Sequence, residues 1–191
     1  MLHGVNYASA AAGFSRTINL NFQNTLDQIT DNLGADDAAR SIAKCIFFVG
    51  MGSNDYLNNY LMPNYPTRNH YNAQQYADQL TRLYNLAARK FVIAGLGRLG
   101  CIPSILAQNS SGTCSDEVNR LVLSFNANVK TMINNLNTNL PGSKFIYIDI
   151  ARMFEDMLLD PRTYGIPCYY LPSGHSFLKL KFNYISDYNI M

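Results

Sequence analysis

The segment Gly50-Met51-Gly52-Ser53-Asn54-Asp55 sets an amide side chain among small residues, directly after the apolar run Ile46 to Val49. An asparagine so placed can donate its amide N–H to an oxygen that gains negative charge in a transition state, and neighbouring glycines let a substrate reach the backbone. The competing reading is an Asn-Asp turn that only ends a strand. A second glycine cluster, Gly95-Leu96-Gly97-Arg98-Leu99-Gly100, follows the apolar run Phe91 to Ala94 and formally matches the G-x-G-x-x-G of dinucleotide-binding folds. That fingerprint needs its third glycine to open a helix facing a pyrophosphate. Pro103 and the polar stretch 109–112 leave no room for a full helix, so the cluster reads as a tight loop between sheet and helix. No NAD or other cofactor is expected.

The four cysteines, Cys45, Cys101, Cys114 and Cys168, contain no C-x-x-C pair, and with three scattered histidines they do not spell a zinc site. No metal is expected. Cys101 and Cys114 bracket the polar loop Gln108 to Thr113. Two readings stand side by side there, a local disulfide in an oxidising compartment and buried free thiols. The same loop holds one glycosylation sequon, Asn109-Ser110-Ser111. His175-Ser176 reads as a solvated loop pair with no catalytic role.

These loops need elements to hold them. Gly4 to Ala8 reads as a short strand running into the small-residue turn Ser9 to Gly13. Phe22, Leu26, Ile29 and Leu33 recur at helical spacing with Gly34 at the stop, and Ala35 to Lys44 suits a second helix. Ile46 to Val49, Phe91 to Ala94 and Phe145 to Ile148 read as buried strands. Between them lie helical faces marked by Tyr76, Leu80, Leu83 and Leu86, and by Val118, Leu121, Val122, Phe125, Val129, Met132, Ile133 and Leu136. Ser115 is placed as the N-cap of the long second stripe, with Asp116 and Glu117 in its first turn. A short helix is expected at Met153 to Leu159. Continuous apolar strands alternating with amphipathic helices predict a parallel sheet covered on both faces, whose ligand site lies at the carboxyl ends of the strands. Those ends are Ser9 to Gly13, Gly50 to Asp55, Gly95 to Pro103 and the vicinity of Asp149.

Three stretches carry a family resemblance. Gly4-Val-Asn6-Tyr-Ala8-Ser-Ala-Ala-Ala-Gly13, then Phe47-Phe-Val-Gly50-Met-Gly52-Ser-Asn54-Asp55-Tyr-Leu-Asn-Asn-Tyr60, then Ala88-Arg-Lys-Phe91-Val-Ile-Ala-Gly95-Leu-Gly-Arg-Leu-Gly100-Cys-Ile-Pro103 resemble the plant GDSL esterase/lipase family, also called SGNH hydrolases. The resemblance runs from about Leu2 to Gly165 and implies an α/β fold, a three-layer α/β/α sandwich of flavodoxin-like type with a mainly parallel sheet, here incomplete. It also implies ester hydrolysis by a Ser-His-Asp triad. Gly52-Ser53-Asn54-Asp55 matches the family's G-x-N-D block, so Asn54 would be the side-chain donor to the oxyanion and Gly52 part of its loop. Ser9 to Gly13 matches the block that supplies a backbone donor, placed near Ala11.

The other two blocks of that family are a nucleophilic serine in G-D-S and a late D-x-x-H. The sequence contains no Gly-Asp-Ser, and none of His3, His70 and His175 has an aspartate three residues before it. The expectation is a chain truncated at both ends relative to the family, with residues 1–165 a partial hydrolase domain and 166–191 a divergent tail. The stretches Gly13 to Phe22 and Tyr71 to Ala88 are shorter than in relatives. The expected substrate is a small-molecule ester or a lipid, and the expected function is a serine ester hydrolase inactive in this chain alone. The alternative is a non-catalytic remnant that holds acyl or other small ligands. The resemblance implies secretion, although the first residues lack a basic segment followed by an apolar one.

Composition sets the outer limits. The 191 residues, 48% hydrophobic and 15% charged, suit one ordinary domain with a core and argue against disorder. A formal charge of +2 without a Lys/Arg cluster makes nucleic acid an unexpected partner. The longest apolar run, Cys45 to Met51, falls far short of the roughly 20 residues that span a bilayer, so no membrane span is expected.

Overall fold

The computed structural model describes residues 4–7, 17–50, 52–53, 73–108, 112–160 and 162–165. Three strands, β1 (Ile46–Val49), β2 (Lys90–Ala94) and β3 (Lys144–Ile148), form one parallel sheet in the order β1-β2-β3. The helices are α1 (Thr17–Leu33), α2 (Ala35–Lys44), α3 (Ala73–Asn85), α4 (Pro103–Gln108), α5 (Asp116–Asn139) and α6 (Ile150–Leu159). Parallel strands need crossovers, which α3 and α5 supply. The α/β class with a parallel sheet is as the sequence implies.

The sheet register explains where the core forms. Phe47, Phe91 and Phe145 sit side by side on the three strands. The Phe91 and Phe145 rings stack at 4.3 Å, Phe47 lies 5.6 Å from Phe91, and Phe22 of α1 meets Phe47 edge-on at 5.2 Å. Aromatic pairs at these spacings add to what burial alone contributes. Leu80 and Leu83 of α3 and Val129, Met132, Ile133 and Leu136 of α5 close over this row. The α5 stripe was legible as a helix because its apolar residues recur at helical spacing. Its start is fixed by the Ser115 hydroxyl, which accepts the Val118 N–H at 3.3 Å.

Local stops obey backbone rules. Gly34, at φ +80°, ends α1 and begins α2, and its N–H reaches the Thr30 carbonyl at 2.8 Å. At the end of α3, Ala88 N–H bonds the Leu83 carbonyl and Ala87 N–H the Tyr84 carbonyl, each at 3.1 Å. That pair is a Schellman closure, with Ala87 at φ +71° in the position glycine usually takes.

Four expectations need correction. Residues 4–7, the described part of the strand expected at 4–8, pair with none of the three strands, and Gly4 stands at φ +79°. What fastens the segment is the Tyr7 ring, edge-on to Phe22 at 6.3 Å. β1 is not buried on both faces: Ile46 and Phe48 are 71% and 55% exposed, and Ile146 on β3 is 46% exposed. Among the described residues the helices that build the core pack on the Phe47-Phe91-Phe145 face, and nothing described covers the opposite face of β1. Leu33, expected on the buried side of α1, is exposed at the helix end. The segment after Gly100 also holds more helix than a bare loop, since Pro103 occupies the first position of α4, where its missing N–H costs nothing.

Candidate functional site

The carboxyl ends of β1, β2 and β3 open on one side of the sheet, as parallel strands require, and each delivers a different element. β1 delivers Gly52, which is buried and held at φ +116°. A Cβ on Gly52 would stand 3.2 Å from Phe125 Cζ and 3.4 Å from Leu96 Cδ2, so the turn rests directly on one side chain of α5 and one of the loop after β2. Only glycine combines this φ with this close approach. Ser53 follows, half-buried.

β2 delivers Gly95 to Gly100, and contacts inside the protein account for Gly95 and Gly100. Gly95 N–H bonds the Ile148 carbonyl at 2.9 Å, continuing the sheet by one residue. A Cβ on Gly95 would fall on the Tyr147 hydroxyl, with Asn126 Oδ1 at 3.0 Å. Gly100 donates its N–H to Asn119 Oδ1 at 3.0 Å and accepts the Ser115 N–H at 2.9 Å, so a Cβ there would collide with the Ser115 carbonyl and the Asn119 amide. Cys101 and Cys114 are joined in a disulfide, with Cα atoms 4.4 Å apart, tying the same loop to the start of α5. Of the two readings open for these cysteines, the structure has the disulfide. The first and third glycines of the pattern thus serve close packing against α5 and β3, and nothing in the structure explains Gly97.

Leu96 is the hinge between these elements. Its N–H donates to Asn126 Oδ1 at 2.8 Å, and its carbonyl accepts from Asn126 Nδ2 at 2.9 Å. Asn126 is itself 4% exposed. A single side-chain amide therefore satisfies both polar groups of a loop residue that has no ladder partner.

β3 delivers Asp149, whose carboxylate caps α6 through the Arg152 N–H at 3.1 Å and pairs with Lys130 Nζ at 2.8 Å. Partial burial alone pushes this carboxyl up. The hydrogen bonds from Lys130 and the Arg152 amide, with the charges of both side chains, outweigh that and hold it below the usual carboxylate range. Beside it, burial and then the Asp149 charge push the Tyr147 phenol up to about 12. Lys130 Nζ stands 4.8 Å from the centre of the Tyr147 ring. Among the described residues the Tyr147 hydroxyl is the one buried side-chain oxygen without a hydrogen-bond partner.

With this geometry in place, comparison with known proteins is decisive. The profile of the GDSL-like lipase/acylhydrolase family matches residues 1–177. The chain belongs to that family. It is 59% identical to GDSL esterase/lipase At1g71691 of Arabidopsis thaliana over 189 residues, covering 87% of this chain and 49% of the relative. It is 42% identical to GDSL esterase/lipase 7 of the same plant, covering 86% of this chain and 53% of the relative. GDSL esterase/lipase At4g18970, also from Arabidopsis thaliana, is 40% identical with the same coverage. The chain spans about half the length of the curated relatives it matches.

Of the residues singled out in this GDSL-family chain, Gly52 stands at the carboxyl end of β1, where a ligand site of the fold belongs. Asn54 and Ala11 lie outside the described residues. The sequence reading missed Asn126 because its polar side chain sits inside an apolar stripe. The signal was present, since asparagine is a weak helix former that competes for backbone hydrogen bonds, and one on a buried helix face needs a partner. Tyr147 read only as one more strand residue. Among the described residues no three His, Cys, Asp or Glu side chains come together, and no helix is long and apolar enough to cross a membrane.

Proposed function

We propose that this chain carries the oxyanion-binding half of a serine ester hydrolase acting on small acyl esters or lipids. The observation that carries the reading is the buried, positive-φ turn at Gly52, in a chain of the GDSL-like lipase/acylhydrolase family, at the carboxyl end of a parallel strand. In this reading Asn54 donates its side-chain amide to the tetrahedral oxyanion, and a backbone N–H near Ala11 supplies the second donor. Gly52 sets the loop that presents Asn54. Acyl transfer also needs a nucleophilic serine and its base. The sequence has neither Gly-Asp-Ser nor Asp-x-x-His, so the 191 residues by themselves are a binding element without a nucleophile.

The names of the relatives, GDSL esterase/lipase, support the reaction class. The Cys101–Cys114 disulfide supports an oxidising location outside the cytoplasm. Residues 1–165 form the hydrolase portion in this reading, and 166–191 a divergent tail. An alternative within the same site is a ligand-holding remnant, favoured by the absence of both Gly-Asp-Ser and Asp-x-x-His from the sequence.

The test is an esterase assay with p-nitrophenyl butyrate on the 191-residue chain and on the product of the complete native transcript. The chain alone is expected to show no saturable turnover. The complete product is expected to turn the ester over, with Asn54→Ala lowering kcat by about 10²–10³-fold. Saturable turnover by the chain alone that disappears in Asn54→Ala would overturn the division of labour. A complete product that is inert would favour the ligand-holding alternative.

A further inference from the structure

Asn126 is the one buried polar residue among the described residues, and both ends of its amide are committed to a single backbone residue, Leu96. The Leu96 side chain in turn forms one wall against Gly52, and Phe125, the neighbour of Asn126 on α5, forms the other. Two adjacent residues of one helix therefore reach the Gly52 turn, Phe125 by direct contact and Asn126 through Leu96. If Leu96 slides along the strand direction, its Cδ2 leaves the space against which Gly52 is folded. Leu96 lies beyond the last residue of β2, so no ladder bond of its own resists that slide. The Asn126 amide, bonded to both polar groups of Leu96, resists it.

We propose that Asn126 is a positioning residue for the Gly52 turn, acting through Leu96 to fix the loop that presents the oxyanion donor. The functional consequence rests on the reading of that loop given above. The mechanical coupling between Asn126 and Gly52 does not.

The helix supplies its own control. Asn137, also on α5, makes the same two bonds to Phe145, accepting its N–H at 2.8 Å and donating to its carbonyl at 2.9 Å. Phe145 lies in the Phe47-Phe91-Phe145 row, remote from Gly52 in the register. Asn137 is exposed where Asn126 is buried, so the two variants are compared by which residues respond and not by how much: a role limited to general stability would loosen Gly52 and Phe145 together in both. A positioning role separates them.

The experiment records amide nitrogen–proton spectra and hydrogen exchange of the 191-residue chain as wild type, Asn126→Leu, Asn126→Asp and Asn137→Leu. Asn126→Leu is expected to move the Gly52 and Ser53 resonances and speed exchange at Gly52, leaving Phe145 unchanged. Asn137→Leu is expected to do the reverse. Asn126→Asp keeps the acceptor for Leu96 N–H but sets a buried carboxylate oxygen against the Leu96 carbonyl, and is expected to disturb Gly52 as Asn126→Leu does. Should Asn126→Leu fail to fold, Leu96→Ala cuts the same relay without stranding a buried amide and is expected to displace Gly52 alone. Equal effects of the Asn126 and Asn137 variants on Gly52, or none from Asn126→Leu or Leu96→Ala, would overturn the proposal. Butyrate, whose carboxylate occupies the place of an ester oxyanion, is expected to bind about tenfold more weakly to the neutral variant Asn126→Leu than to wild type. Wild-type protein that ignores butyrate while Gly52 still answers to Asn126 would sink the oxyanion reading and leave the coupling standing.

Discussion

The Tyr147 hydroxyl sits where a Cβ of Gly95 would be, so a strand residue and a loop glycine share one volume at the carboxyl end of the sheet. The arrangement lets β2 and β3 run side by side for one residue beyond the regular ladder, through the Gly95 N–H and the Ile148 carbonyl. It also leaves the Tyr147 hydroxyl buried without an acceptor.

Gly95→Ala is expected to destabilise the chain by about 1–3 kcal/mol, because the new methyl overpacks the phenol. Tyr147→Phe alone is expected to be neutral or slightly stabilising, since it removes an unsatisfied polar atom. Combined with Gly95→Ala, it should return part of the loss. Urea unfolding of the two single variants and the double variant checks all three statements.

Ala87→Gly is expected to stabilise the chain by about 0.5–1 kcal/mol. Ala87 holds a left-handed conformation at the closing position of α3, where a side chain is penalised and glycine is not. The greater freedom of glycine in the unfolded chain offsets part of the gain. The midpoint of urea unfolding should rise without a change in slope.

Replacing both Cys101 and Cys114 with serine is expected to cost about 3 kcal/mol, the loop-closure contribution for a bridge spanning roughly this many residues. Gly100 and Ser115 should lose exchange protection first, since the bridge ties exactly that junction. Cys45→Ser, at an exposed free thiol, should leave stability unchanged.

Among the described residues Tyr147 and Asp149 are shifted clearly enough to be read in the pH dependence of stability. The Asp149 carboxyl is held below its ordinary range, so its contribution is present above the unfolded carboxylate value and is lost as pH falls through the folded one. Asp149→Asn should flatten that acid limb while still capping α6. The Tyr147 phenol is raised from 10.0 to about 12, so its contribution is full below pH 10 and is lost as pH rises towards 12. Tyr147→Phe should flatten the alkaline limb, as followed by denaturation midpoints across pH.

The fold was legible wherever periodicity and punctuation agreed. The helix α5 announced itself through its stripe and the Ser115 cap, and β1, β2 and β3 through compact apolar runs ended by glycine, aspartate or both. Gly4 to Tyr7 misled because a short segment with one β-branched residue, Val5, carries no signal of whether it pairs with the sheet, and it does not. The burial of β1 misled because a run of Ile, Phe, Phe and Val is the same whether one face or two are covered. At the carboxyl end of β1, the glycines of the Gly50 to Asp55 block announced a turn, and Gly52 holds one at φ +116°. The amide clamp of Asn126 on Leu96 was not, because the two residues lie 30 apart and only the packing of α5 on the loop after β2 brings them together.

The most direct test of the oxyanion reading is a titration of the isotope-labelled 191-residue chain with butyrate, followed by amide spectra. The account predicts a saturable shift centred on Gly52, Ser53 and Asn54 that disappears in Asn54→Ala. Shifts confined to Gly97 through Gly100, or none at Gly52 and Asn54 at saturating butyrate, would contradict it.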